Sequence, residues 1–275
     1  MKKAAITILL VFLVIEAISQ VRPARRRHYR AFKESTMMVV LDSNPFTAYN
    51  DRIKEEMDRF WTVTDYEFIS FDEFEEIRTS DEYSFLVFAE IKQRNIPYVF
   101  SFMNFVLGDS NRDFNRMPDL GSVPLAYRDV DEENYLYKMG AFIQFMHNYA
   151  KDLGDPSHMR LRRFINVRDD RIQDMELWLL EEELAPEIRT VEKIQQYYPY
   201  SVKIVNKDDI QKAISQQRED VAFLHKIGPE DTVNEGMCWK FIVTTDGTVL
   251  YSNDHDTDVH TPDALLIEDL KRMAR

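Results

Sequence analysis

The sequence predicts an α/β protein of two tandem related domains, each a mixed sheet with helices in the order β-α-β-α-β-β-α. Three observations lead there. First, one apolar pattern is written twice. Met57, Phe60 and Trp61, the run 66–69, then Asp72, Glu73 and Phe74, and the run 84–87 are echoed by Ile194, Tyr197 and Tyr198, the run 202–205, then Asp208, Asp209 and Ile210, and the run 220–223. The offset is 137 residues over the first three positions and 136 from Tyr66 onward, so a single deletion in a loop reconciles the two passes. Second, stretches with apolar residues at helical spacing alternate with short runs rich in β-branched and aromatic residues, as expected of helices that connect strands. Third, Thr245, Asp246 and Gly247 separate two apolar runs, and Asp-Gly in that setting specifies a hairpin.

The elements follow in order. Residues 1–19 read as a signal peptide, with an uncleaved membrane anchor as the alternative: Lys2 and Lys3, an apolar run 4–15, and the small residues Ala17 and Ser19 around Ile18, with cleavage expected after Ser19. A bilayer span needs roughly 20 apolar residues, and this run ends sooner, at Glu16. No later segment is apolar enough, so the mature chain is expected to be periplasmic or secreted, without a transmembrane span. Residues 20–34, with Arg22, Arg25, Arg26, Arg27 and Arg30, read as a basic flexible arm.

The first domain is placed at 35–154. Residues 37–41 read as a buried strand, 51–61 as a helix with Ile53, Met57, Phe60 and Trp61 on one face, 66–69 as a strand and 72–77 as a short acidic helix. The runs 83–91 and 98–107 are aromatic, branched and almost free of breakers, as central strands are. In the second, Tyr98, Phe100 and Phe102 share one face and Val99, Met103 and Phe105 the other. Apolar residues on both faces imply cover by helices on both sides. A polar loop is expected over 108–131, with Pro118, Gly121 and Pro124, and then a long helix over 132–153 carrying Tyr135, Met139, Phe142, Ile143 and Met146. Gly154, Asp155 and Pro156 stop it. A linker, 155–174, follows; its basic part reads alternatively as a strand through Leu161, Phe164, Ile165 and Val167.

The second domain is placed at 175–275. It opens with a strand at 175–180 and a helix whose first turn holds Pro186 and Glu187 and which ends before Pro199. A strand at 202–205, a helix at 207–217 and a strand at 221–227 come next, then the hairpin of 239–244 and 248–252, then a helix at 262–273.

Composition narrows function. Loss of the signal removes Lys2, Lys3 and Glu16 and moves the formal charge from −13 to −14, and setting aside the five arginines of the arm leaves −19. Such a body repels nucleic-acid phosphates and anionic lipid. Only 7 glycines occur in 275 residues, against the roughly 19 of average usage, and none forms a G-x-G or Gly-Lys-Ser/Thr motif. Dinucleotide binding and phosphate-loop hydrolysis are thereby excluded, and no cofactor is expected. The layout, a signal ending in Ser19 and Gln20 before a duplicated α/β body, resembles uncharacterised secreted proteins of Bacteroidota type. That resemblance carries over no functional residue.

The sharpest polar cluster is Asp254, His255, Asp256, Asp258 and His260. In an extended segment Asp254, Asp256, Asp258 and His260 point the same way, as ligands of a hard or borderline cation would, but polar turn residues are also expected between a hairpin and a helix. No metal site is therefore assigned. Cys238 lies in an apolar stretch and reads as a buried inert thiol. His147 and His225 read as structural, and no nucleophile elbow is present. The acidic runs at 72–76, 129–133 and 181–183 read as solvated helix starts and strand ends. No catalytic residue is assigned. The expected function is a non-enzymatic extracytoplasmic binding or assembly protein for a protein partner or small ligand, with a hydrolase, metal-assisted through residues 254–260, as the alternative.

Overall fold

A computed structural model describes residues 22–44, 46–92, 97–110, 113–153, 167–230 and 235–275. The signal segment, the stop at Gly154, Asp155 and Pro156, and the apolar residues 161–165 of the linker lie outside the described residues. Along the chain come β1 (Arg22–Pro23), α1 (Arg26–Glu34), β2 (Thr36–Val40), α2 (Tyr49–Phe60), β3 (Tyr66–Ile69), α3 (Phe71–Ile77), β4 (Tyr83–Lys92), β5 (Val99–Leu107), β6 (Pro118–Tyr127) and α4 (Met139–Asp152). They are followed by β7 (Glu176–Leu179), α5 (Val191–Gln195), β8 (Val202–Ile204), α6 (Lys207–Ser215), β9 (Val221–Ile227), β10 (Gly236–Thr244), β11 (Val249–Thr257) and α7 (Ile267–Met273).

The chain divides into two compact units, one of residues 1–43 and 64–124 and the other of 44–63 and 125–275. The second unit thus includes α2 and α4, both of which the repeat pattern assigns to the first pass. Their apolar faces pack on one another, and α4 is tied to the hairpin of the second sheet. Gln144 Nε2 donates to Thr245 O at 2.9 Å and Asn148 Nδ2 to Asp246 O at 3.2 Å.

In the first unit the strand order is β1-β6-β5-β4-β2-β3. β2 lies parallel to both β3 and β4, and β4 pairs antiparallel with β5. Phe74 of α3 covers one face, its ring edge-on to Phe85 at 5.0 Å among Met38, Val40, Val87 and Val106. Phe32 of α1 covers the other, edge-on to Phe105 at 5.0 Å. Both faces of β5 are therefore core, as its apolar alternation predicts.

Two expectations need correction here. The arm at 20–34 is not flexible over 26–34, where α1 buries Tyr29 and Phe32. A helical i, i+3 aromatic pair overrides the charge of the arginines around it. The stretch 108–131 is not only a loop, because β6 runs through it and buries Leu120 and Leu125. Pro118, Gly121 and Pro124 hide the strand, yet proline is tolerated near a sheet edge, and only the two-residue β1 lies outside β6.

In the second unit the order is β11-β10-β9-β7-β8. Apart from β1 this repeats the first sheet strand for strand. Each pass therefore has three strands after its second helix; the second pass was read with three, at 221–227, 239–244 and 248–252, and the first gains β6. The pairing also fixes the correspondence: Met37 pairs with Tyr66 and Ser84, and Leu177 pairs with Val202 and Ala222. Tyr66 matches Val202, as the pattern predicts, but Ser84 matches Ala222 and not Asp220. A two-residue slip leaves every side chain on the same face, which is why the apolar pattern did not expose it.

Both sheets also start a helix with the same device. Ser70 and Glu73 cap α3 reciprocally, and Asn206 and Asp209 do the same for α6, satisfying amide groups that a first turn leaves without partners. Other boundaries shift. Pro186 begins only a 3-10 turn, Pro186–Ile188, and α5 starts after the Thr190 cap. The expected helix at 132–153 opens as two 3-10 turns before α4, and α7 starts at Ile267. The end of the expected linker packs on the sheet, with Ile172 buried and Val167 N donating to Ser252 Oγ at 2.9 Å.

Helices lie on both faces of the second sheet. Leu177, Leu179, Leu224 and Ile242 meet Ile194 of α5 with Leu270 and Met273 of α7. Trp178, Phe223 and Val243 meet Ile210, Ala213 and Ile214 of α6 with Ala141 of α4. The hairpin turn needs glycine: Gly247 has φ +83°, and a Cβ there would approach Ala141 O to 2.4 Å.

All three tryptophans, Trp61, Trp178 and Trp239, belong to the second unit. Asn206→Ala is expected to destabilise the transition seen by tryptophan fluorescence in urea by about 1 kcal/mol through loss of the cap. Ser70→Ala should leave that transition in place if the units unfold independently. Equal shifts from both variants would show that they unfold together.

Candidate functional site

The parallel strands β7, β8 and β9 end together. The chain leaves β7 for α5 on one face of the sheet, leaves β8 for α6 on the other and turns from β9 back into antiparallel β10, and a crevice lies beyond the carboxyl ends of β7 and β9. Open α/β sheets place ligands at such a point. A pocket of about 700 Å³ lies there, within the usual range for small-ligand sites. Leu180, Glu182 and Glu183 enter from the loop after β7, and Lys226, Pro229 and Glu230 from the end of β9. Lys207 comes from the start of α6, Thr257, Asp258 and Val259 from the end of β11, Pro262 and Asp263 from the loop beyond, and Asn134 and Arg189 from the rim.

Buried charge dominates this end of the sheet. Lys226 points out of the apolar run of β9, its Nζ 2.7 Å from Asp263 Oδ2 and 3.6 Å from Glu230 Oε1. The same Asp263 oxygen accepts the amide of Glu230 at 2.9 Å and holds that residue at φ +45°. Gly228 allows the carboxylate to come so close, since a Cβ there would meet Asp263 Oδ1 at 1.7 Å. Burial works to lower the Lys226 pKa, but Asp263 and Glu230 outweigh it and raise it.

Glu183 closes the floor. Its Oε1 accepts Lys138 Nζ at 3.3 Å, whereas Oε2 is buried with no hydrogen-bond partner. Thr257 Oγ1 is likewise buried and unpartnered. Burial pushes the Glu183 carboxyl up and the Lys138 ammonium down, and their mutual attraction offsets this only in part. Arg189, on the same loop, is held through Nε by Leu184 O at 3.2 Å.

A third pair backs the sheet. Lys240 Nζ lies 2.6 Å from Asp269 Oδ2, both side chains fully buried. The remaining capacity of Asp269 is filled by Tyr251 Oη at 2.7 Å, Asn253 Nδ2 at 2.7 Å and Leu266 N at 3.0 Å. Burial works to raise the Asp269 pKa, but Lys240 and these donors hold it below the ordinary value.

The sequence cluster at 254–260 is dispersed by the strand that contains it. β11 continues to Thr257, and its pleat leaves Asp254 and Asp256 exposed while His255 turns the other way. His255 takes Lys240 Nζ on Nδ1 at 2.8 Å and engages Pro262 O through Nε2 at 3.0 Å. Asp258 Oδ1 accepts the amides of His260 and Thr261 at 2.7 and 2.8 Å, closing a turn. No group of three His, Cys, Asp or Glu residues placed to hold a metal ion occurs among the described residues.

Other candidates fall into structural settings. His147 contacts Thr62 Oγ1 at 3.0 Å, and His225 packs 4.7 Å from the Phe142 ring. Cys238 is buried, and burial with the Asp263 charge pushes its thiol well above the ordinary range. In the acidic runs, Glu73 caps α3 and Asp131 caps the next 3-10 turn. Glu183 departs from the expected solvated role and is the buried member of its run. Lys138, Lys226, Asp263 and Arg189 carry no motif. The available signal was a lysine inside each of two otherwise apolar strands, Lys226 and Lys240, because a buried ammonium demands a carboxylate somewhere in the fold. No family model, curated protein or solved structure matches this chain.

Lys240→Met leaves Asp269 buried and uncompensated and is expected to destabilise the second unit by about 3–5 kcal/mol in urea unfolding. The folded pKa of Asp269 is depressed, so its contribution is complete above the unfolded value of about 3.9 and is lost as pH falls below it. Stability measured from pH 6 down to pH 3 should therefore decline less steeply in Asp269→Asn than in the parent.

Proposed function

We propose that this is a non-enzymatic binding protein that acts outside the cytoplasm and holds a small polar ligand in the pocket of its second unit. The observation that carries the reading is the pocket's place: it opens at the carboxyl ends of β7 and β9, beside the point where the connections leaving β7 and β8 part to opposite faces. Its charged groups are held rigid by partners, as a site that recognises without reacting requires. Glu183 and Lys226 are fixed by Lys138 and Asp263, and the residues lining the pocket include no histidine, cysteine or serine. The setting outside the cytoplasm rests on the signal pattern of residues 1–19.

A second reading, in which the basic segment tethers the protein to an envelope partner, is favoured by α1. It buries Tyr29 and Phe32 and leaves Arg26, Arg30 and Lys33 exposed.

Thermal unfolding of the purified protein with amino acids, sugars, nucleotides and short peptides tests the ligand reading. One chemical class is expected to raise the transition, since a ligand at 100 times its Kd stabilises by about 2.7 kcal/mol. Charge reversal at the exposed Glu182, Glu182→Lys, should change the affinity for that ligand about tenfold without lowering the ligand-free transition by more than about 0.5 kcal/mol. Absence of stabilisation by every class would overturn the reading.

A further inference from the structure

We propose that the pocket takes a small zwitterion, an α-amino acid or short peptide with an apolar side chain, whose ammonium group sits on Glu183 and whose carboxylate sits on Arg189. This rests on the small-ligand reading above. Most cations of the pocket are already committed. Lys226 is held by Asp263 and Glu230, and Lys207 donates to Asn134 Oδ1. Lys138, behind the floor, is held by Glu183 Oε1. Arg189 is different: only its Nε is engaged, by Leu184 O, and its two terminal nitrogens have no partner among the described residues. The backbone thus orients a guanidinium whose fork meets no carboxylate among the described residues, the geometry that a ligand carboxylate recognises.

The acceptor side is equally specific. Glu183 lines the pocket with a side chain only 9% exposed, and its Oε2 has no donor. A buried carboxylate oxygen without a hydrogen bond is costly, and an ammonium group has three donors with which to satisfy it and Thr257 Oγ1. Glu183 and Arg189 flank one short loop, pinned where Leu265 N donates to Glu183 O at 2.8 Å and Ala185 N to Leu265 O at 3.1 Å. They do not pair with each other. The loop thus carries one unfilled acceptor and one free cationic fork, and Asp263 Oδ1, also buried without a donor, adds a second unfilled acceptor to the pocket lining; together they match a ligand that carries both charges.

The other ligand classes fit less well. Five carboxylates line the pocket, Glu182, Glu183, Glu230, Asp258 and Asp263, against three cations, so a phosphate or a simple carboxylate is repelled. A polyamine would meet Arg189 without compensation. Leu180, Pro229, Val259 and Pro262 supply apolar walls, and a volume of about 700 Å³ leaves room for an aliphatic side chain or a second residue.

Calorimetric titration of the purified full-length protein with L-leucine and Leu-Leu, set beside N-acetyl-leucine and leucinamide, tests this. At least one of leucine and Leu-Leu should bind, and loss of either charged group should weaken leucine by about tenfold or more, the scale of one charge-assisted hydrogen bond. Arg189→Gln, at an exposed position, should weaken leucine by a similar factor and leave leucinamide unchanged. Glu183→Gln should weaken leucine and leucinamide alike. Equal binding of leucine and N-acetyl-leucine, or leucine binding unaffected by Arg189→Gln, overturns the assignment. Binding of glucose or inorganic phosphate with no response to leucine or Leu-Leu overturns the zwitterion while the pocket remains a small-ligand site. Failure of all these probes together with the broader collection overturns both.

Discussion

Three lysines buried in the second unit set the terms on which the rest of it is built. Lys138 meets Glu183 at 3.3 Å, Lys226 meets Asp263 at 2.7 Å and Lys240 meets Asp269 at 2.6 Å. An ammonium taken out of water without a partner costs several kcal/mol. The loop after β7, the loop after β11 and the first turn of α7 must therefore each deliver one carboxylate to the sheet. Hydrophobic packing of α5, α6 and α7 would tolerate small shifts in these connections. The ion pairs restrict them, and in doing so they shape the crevice at the strand ends.

The three pairs differ in how fully they are satisfied. Asp269 accepts from four donors in four different residues and belongs to the architecture. Asp263 combines Lys226 with the Glu230 amide on Oδ2 and sets the backbone at the pocket edge, while its Oδ1 is buried without a donor. Glu183 keeps one oxygen without a donor. The polar network is thus complete behind the sheet and unfilled at Glu183, Asp263 and Thr257, which line the pocket. In a low-dielectric interior an unfilled acceptor is the expensive part of such a network.

Repetition of the strand order did not repeat this chemistry. The register that matches Ser84 with Ala222 also matches Phe88 with Lys226, so the first unit has an aromatic ring where the second has its pocket lysine. The reciprocal caps of α3 and α6 survive in both copies because every helix start leaves amides to satisfy. The pocket cations have no such general requirement behind them. The two sheets therefore share a framework, and the polar site described here belongs to one of them.

The fold class was legible because alternation and helical spacing are local, and each element carries its own record of which face is buried. Val221–Ile227 is a strand by composition alone, and the Asp246-Gly247 turn by backbone conformation. Local signals failed where context outweighed them. Prolines and Gly121 masked β6, arginines masked α1, and a slip of two residues escaped notice because it preserves the face. The site was almost wholly illegible. The conspicuous acids and histidines of 254–260 were spread by the pleat of β11 and by a turn, while Glu183, taken for a solvated acid, became the floor of the pocket. By itself the sequence determined the elements, their order and the presence of lysines that could not stay unpaired. Only the tertiary structure decided which carboxylate meets which lysine and which oxygens are left over, because those pairings join residues as far apart as Lys138 and Glu183 through the meeting of two turns distant in sequence, and spacing along the chain has no term for that.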